Sequence, residues 1–190
     1  MIRKGDERDI LVTKFEIDVD DVFHLKNLYK TIYEWTKIEG WKAADGNGEP
    51  EMLYWERRTQ VTEHQIWWRF MMKPDNNTYF TYFLKIDYQT LAMGGTEVPY
   101  DGKKIKSNKG EVILRVQAWL LVDPDNKWDD ATFLKQIERI FRKRIYKQQI
   151  EDYKKRLEII TERLRNTIKT YLQLQMPYTP LKPFMPERGV

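Results

Sequence analysis

Two hydrophobic periods alternate along this chain, and the change from one to the other divides it. Residues 9–17 run Asp-Ile-Leu-Val-Thr-Lys-Phe-Glu-Ile. Period two places Leu11, Thr13, Phe15 and Ile17 on one face and predicts a half-buried strand. Asp18, Asp20 and Asp21 are expected to cap and charge the first turn of a helix. That helix runs to about Glu39, with Val22, Leu25, Tyr29, Ile32 and Trp35 as its stripe and Gly40 as its stop. Residues 42–50 form a polar loop. Period two then returns. Stretches 51–62 and 63–73 read as strands, with Ile66, Trp68, Phe70 and Met72 opposite Trp67, Arg69 and Met71. Stretch 79–93 aligns Phe80, Tyr82, Leu84, Ile86 and Tyr88, and Gly94-Gly95 is expected to break it. Asp101-Gly102 signals a two-residue hairpin, because Asp-Gly tolerates positive φ. Asn108-Lys109-Gly110 is expected to turn again, into a strand at 111–122. There Val112, Leu114, Val116, Ala118, Leu120 and Val122 face inward, and Arg115, Gln117 and Trp119 outward.

Residues 128–175 contain neither Gly nor Pro and carry apolar residues at helical spacing throughout. They predict one helix, or two nearly continuous ones, of about 48 residues and roughly 70 Å. Asp129 and Asp130 would sit in the first turn. Phe133, Leu134, Ile137, Ile140, Phe141 and Ile145 make a stripe broad enough to lie on a sheet. From Ile150 the stripe narrows to Ile150, Tyr153, Leu157, Ile160 and Leu164, and continues through Ile168 and Tyr171. Such a seam suits a partner helix; a helix bending back over its own domain would use it equally. Beyond Met176, Pro177, Pro180, Pro183 and Pro186 interleave with Tyr178, Leu181 and Phe184, a tail that cannot be helical.

The expected fold is α+β: an antiparallel meander sheet packed on a long C-terminal helix, with one helix inserted after the first strand. The boundaries fall at 1–147 for the sheet domain, 148–175 for a helical extension and 176–190 for the Pro-rich tail.

Composition sharpens this. Aromatic residues reach 14%, with seven Trp, which argues for a packed core despite 33% charged residues. The absence of cysteine removes disulfides, thiolate metal sites and thiol nucleophiles, and points to a reducing, cytoplasmic interior. No apolar run approaches the ~20 residues that span a bilayer, so no transmembrane segment is expected.

Reactive constellations are scarce. His24 and His64 have no partner at metal-ligand spacing. The glycine pairs lack the Lys-Ser/Thr of a phosphate loop, and there is no nucleophile elbow. No catalytic residue, metal or cofactor is implied. Between Glu138 and Arg165, however, ten basic residues face five acids. Arg142, Lys143 and Arg144 belong to this run. Lys103, Lys104, Lys106 and Lys109 form a second one, and both suit a phosphate backbone such as RNA.

The order of elements, a curved meander gripping a long last helix over roughly residues 9–147, is similar to the helix-grip domain of the START and plant-allergen superfamily. The chain departs from it in having a single helix after the first strand and an overlong last helix. The resemblance implies a cavity for a hydrophobic small molecule, here lined by Trp68, Phe70, Tyr82, Leu84, Leu114, Phe133, Ile137 and Phe141. The chain also looks like small uncharacterised archaeal proteins, which imply no activity. The leading expectation is a non-enzymatic binding or assembly protein. It would use Ile150, Tyr153, Leu157, Ile160, Leu164, Ile168 and Tyr171 to join a second copy or a protein partner. A ligand carrier and an RNA- or ribosome-binding protein are the alternatives.

Overall fold

The computed structural model describes residues 2, 3, 6–46, 48–100, 103–128 and 132–174, without the side chains of Asn76, Tyr100, Lys103, Thr132, Lys135, Lys143, Gln173 and Leu174. The Pro-rich tail, Asp129, Asp130 and the Asp101-Gly102 turn lie outside the described residues. The order is β1 (Asp9–Phe23), α1 (Leu25–Ile38), β2 (Lys42–Ala43), β3 (Glu51–Arg58), β4 (Thr62–Met72), β5 (Phe80–Tyr100), β6 (Lys103–Val122), α2 (Thr132–Ile140), a π-helical turn (Phe141–Ile145) and α3 (Lys147–Leu174). All strand pairs are antiparallel, in the order β1-β6-β5-β4, and β2 and β3 share the far edge of β4. The fold is α+β as the pattern requires, in a helix-grip-like arrangement.

The alternation of the strands sets two faces. One carries Ile66, Trp68, Phe70, Tyr82, Leu84, Ile86, Tyr88, Leu114, Val116 and Leu120, all buried beneath α1 and α3. The other is the wetter face, laced with charge, where Arg69 pairs with Asp87 at 2.7 Å and Arg115 with Glu16 at 2.7 Å around buried Phe83, Ile113 and Leu121. A bulge between Leu11 and Thr13 shifts the register of β1. It turns Leu11 onto the wet face beside Trp119, while Phe15 and Ile17 stay on the buried one, so Leu11 does not share the face expected for it.

Three expected breaks are not breaks. Asp18, Asp20 and Asp21 extend β1 opposite Ile113, Glu111 and Gly110, rather than capping α1. The cap is His24, whose Nδ1 accepts from the Asn27 N–H at 3.3 Å. Strand β5 runs through Gly94-Gly95, and β6 through Asn108-Lys109-Gly110. What the glycines mark is a bulge between Leu91 and Gly94, with Ala92 at φ 52°. Gly110, at φ 155°, sits against it, where a Cβ would lie 2.9 Å from the Leu91 carbonyl oxygen.

The consequence is length. At ~3.3 Å per residue, β5 and β6 extend roughly 65 Å, against roughly 42 Å for α3 at ~1.5 Å per residue. α3 lies on the part before the bulge, residues 80–93 of β5 and 112–122 of β6, and finds its cover within the same chain. Ile150, Tyr153, Leu157, Leu164, Ile168, Tyr171 and Leu172 of α3 lie in the same core cluster as the inward residues of the sheet. α3 is fastened along its length. The Tyr82 hydroxyl donates to the Tyr153 carbonyl at 3.0 Å, Arg163 pairs with Glu39 at 3.0 Å, and the Tyr171 hydroxyl donates to the His24 carbonyl at 3.1 Å.

Candidate functional site

The narrow seam is where the structure departs furthest from expectation. Ile150, Tyr153, Leu157, Leu164, Ile168 and Tyr171 are buried in the chain's own core, and Ile160 is half-buried against it. The buried side of this seam packs on the chain's own sheet and α1. Of the residues expected to line a cavity, five are brought together in one core cluster and three are not. Trp68, Phe70, Tyr82, Leu84 and Leu114 are buried and packed on neighbours, with the Trp68 ring 4.5 Å from Tyr29 and 5.1 Å from Tyr88. Phe133, Ile137 and Phe141 lie on α2 and the π turn, which do not cover that face. The gripped helix is α3, and it fills the space.

The two basic runs sit apart. Lys104 and Lys106 are exposed on the β5–β6 arm, whereas Arg142 and Arg144 follow the other end of β6. Sixteen residues of strand between Lys106 and Val122 separate them by roughly 50 Å. The Lys103 and Lys143 side chains are outside the description. Arg142 is not free for phosphate, because its Nε lies 3.2 Å from the Glu138 carboxylate and its guanidinium donates to the Glu7 carbonyl at 3.2 Å.

The surface that stands out is the one expected to be buried. Along α2 and the π turn, Phe133 is 70% exposed, Ile140 55%, Phe141 37% and Ile145 59%. The side turned inward is polar. Glu138, 5% exposed, accepts from the Tyr79 hydroxyl at 2.8 Å and pairs with Arg142. Burial first, and then this carboxylate, push the Tyr79 hydroxyl far above its ordinary pKa, so it stays a proton donor. A charge-assisted bond of this kind contributes about 1.5–3 kcal/mol. It holds α2 down by its polar side.

The launch of α2 is fixed as well. Asp123, at φ 48°, accepts from the Lys127 and Trp128 N–H groups at 3.0 and 3.1 Å. Arg3 donates to the Asp123 and Val122 carbonyls at 3.1 and 2.8 Å. The π turn closes with the Tyr146 N–H on the Phe141 carbonyl at 2.9 Å, and Tyr146 breaks the helix before α3.

A signal in the sequence could have found this arrangement. At ~100° per residue, the stripe centred on Ile137 points roughly half a turn away from the stripe centred on Leu157. One straight helix cannot lay both on one sheet. The longer, regular stripe takes the sheet, and the shorter one faces water.

The acid is as informative as the apolar ridge. Glu138 is the one acid among residues 132–149, and it is buried. Arg139, Arg144 and Lys147 are exposed. The ridge therefore presents apolar side chains among exposed positive charges of its own segment, with Glu7 of the N-terminal stretch paired to Arg142.

A second polar cluster lies at the foot of the β5–β6 arm. His64 Nδ1 is 2.8 Å from the Thr90 hydroxyl, and its Nε2 is 3.6 Å from Glu56, which Arg58 holds at 2.6 Å. Burial, the largest cause, lowers the His64 pKa, so the ring is neutral near pH 7. Thr90 is fully buried and also accepts from the His64 backbone N–H at 2.9 Å, so it is not placed to attack a substrate. The cleft beside them, ≈ 370 Å³, is lined by Leu25, Lys26, Met93 and Asn108 among others.

Among the described residues, no helix is long and apolar enough to cross a membrane. No family model, no curated protein and no solved structure matches this chain.

Proposed function

We propose that this chain is a non-enzymatic binding protein and that it docks through the ridge of α2 and the π turn. The carrying observation is the inverted helix: Glu138 buried, with Phe133, Ile140, Phe141 and Ile145 in water. A helix of a soluble domain ordinarily buries its apolar stripe. Large exposed apolar patches mark interaction sites.

The magnitude says what kind of partner. Covering the exposed parts of these four side chains is worth roughly 3–7 kcal/mol gross. A micromolar complex needs about 8 kcal/mol net. The ridge alone is not enough, and the charges around it must contribute. Those charges are basic, so two copies face to face would set Arg139, Arg144 and Lys147 against their own images. An anionic partner removes that repulsion and adds attraction. The carrier reading finds less support, because the aromatics proposed to line its cavity are packed on one another and on α1 and α3. The RNA reading is weakened by the separation of the two basic runs.

The test uses an anionic amphiphile, anilinonaphthalene sulfonate, with the full chain. Ile140→Glu with Ile145→Glu should abolish most of the dye's fluorescence gain and leave the near-ultraviolet dichroism unchanged. Ile159→Glu, on the 62%-exposed outer side of α3, should leave the gain intact. Equal dye binding by all three proteins would remove the ridge from consideration.

A further inference from the structure

The geometry points to an anionic lipid surface as the partner of this ridge, with α2 and the π turn lying flat in the headgroup region. This inference rests on the ridge being the docking surface. It commits to one occupant on three observations.

The first is charge. Among the described side chains of residues 132–149, the exposed ionic ones are Arg139, Arg144 and Lys147, while Glu138 is turned inward against Tyr79 and Arg142. An interfacial helix joins apolar side chains to basic ones in this way. Each basic residue near an anionic leaflet adds attraction that salt screens.

The second is the spacing of charge and grease. Arg139 adjoins Ile140, and Arg144 adjoins Ile145. The two kinds of side chain are interleaved along the ridge. A protein groove would need alternating apolar and acidic pockets to match them. At a bilayer surface, depth separates them: the apolar chains sink to the acyl boundary, and the long basic stems reach back to the phosphates. Nucleic acid would meet the charges but leave Phe133, Ile140 and Ile145 in water.

The third is the aromatic flank. Trp128 and Tyr146 are half-buried beside Phe141, with ring centroids 6.5 and 6.3 Å away. Trp and Tyr favour the level of the headgroups. The helical segment, nine residues of α2 and five of the π turn, is roughly 20 Å long. That length suits a surface contact and not a crossing.

The experiment is flotation of the full chain with vesicles of phosphatidylcholine alone, or with one third phosphatidylglycerol. Binding to the anionic vesicles is expected, and its strength should fall steeply between low and high salt. Arg139→Gln with Arg144→Gln should weaken it roughly tenfold or more. Ile140→Glu with Ile145→Glu should abolish it, and Ile159→Glu should not change it. Absence of binding to anionic vesicles at low salt overturns the inference, as does equal binding to both vesicle types or binding that ignores the ridge substitutions. If the dye still requires the ridge but the vesicles do not bind, the docking surface stands and the lipid partner falls. Retention of a polyanionic RNA or of an acidic polypeptide by the ridge under those conditions would confirm that outcome. If neither dye nor vesicle depends on the ridge, both readings fall together.

Discussion

Truncating Leu157 to alanine tests whether α3 belongs to this chain's own core. Leu157 is fully buried in the cluster that includes Tyr82, Leu120 and Leu164. The substitution removes three carbons. Their transfer is worth about 2.4 kcal/mol at ~0.8 kcal/mol per methylene, and the residual cavity raises the cost to about 3–5 kcal/mol. A domain of this kind is stable by about 5–15 kcal/mol in total, so the loss is a large share of it. With a urea slope of roughly 1–3 kcal/mol per molar, the unfolding midpoint should fall by about 1–5 M. Leu164→Ala, also fully buried, should behave alike, whereas Ile159→Ala should stay within about 0.5 kcal/mol. Far-ultraviolet dichroism in urea at two protein concentrations reads all three. Concentration matters here. A seam closed by a second copy would make the midpoints rise with protein concentration; a seam closed by the chain's own sheet would not. Leu157→Ala costing no more than Ile159→Ala, or midpoints that track concentration, would refute the seating of α3 described here.

Two further outcomes follow from local geometry. Gly110→Ala puts a Cβ against the backbone of Leu91, Ala92 and Met93 at 2.9–3.0 Å, and nothing there is a flexible side-chain end. It should cost roughly 1–3 kcal/mol and strip amide-exchange protection from the β5–β6 arm first; an unchanged arm would mean the bulge can open freely. His64 should titrate below its ordinary 6.5, because burial favours its neutral form. A folded pKa below the unfolded one means the stability is complete above pH ~6.5 and is lost as pH falls through the folded value. Glu56 counters part of this shift, so Glu56→Gln should lower the midpoint further. A proton-resonance midpoint at or above 6.5 would contradict that environment.

The periods of the sequence by themselves determined the two-faced sheet and its inward residues. A side chain on a strand alternates with the backbone, and that parity changes only at a bulge such as the one that turned Leu11 outward. They determined likewise that α1 carries Ile32 and Trp35 to the core, though not its buried Leu28, and that residues 147–174 are helical. What they left open was decided by tertiary fit. Gly94-Gly95 and Gly110 look like stops when taken one strand at a time. Paired with each other they form a bulge that lets two strands of about twenty residues run on. α3 lies on the part of the sheet before that bulge, and its seam is covered there from within. Only packing could choose which of two opposed stripes would face the sheet. The hydrogen bond from Tyr79 to Glu138 and the π turn before Tyr146 lie on the side that lost. Helical periodicity records that a stripe exists, but the amount of sheet available to cover it is a property of the whole chain. For that reason the exposed ridge of Phe133, Ile140, Phe141 and Ile145 became visible only in three dimensions.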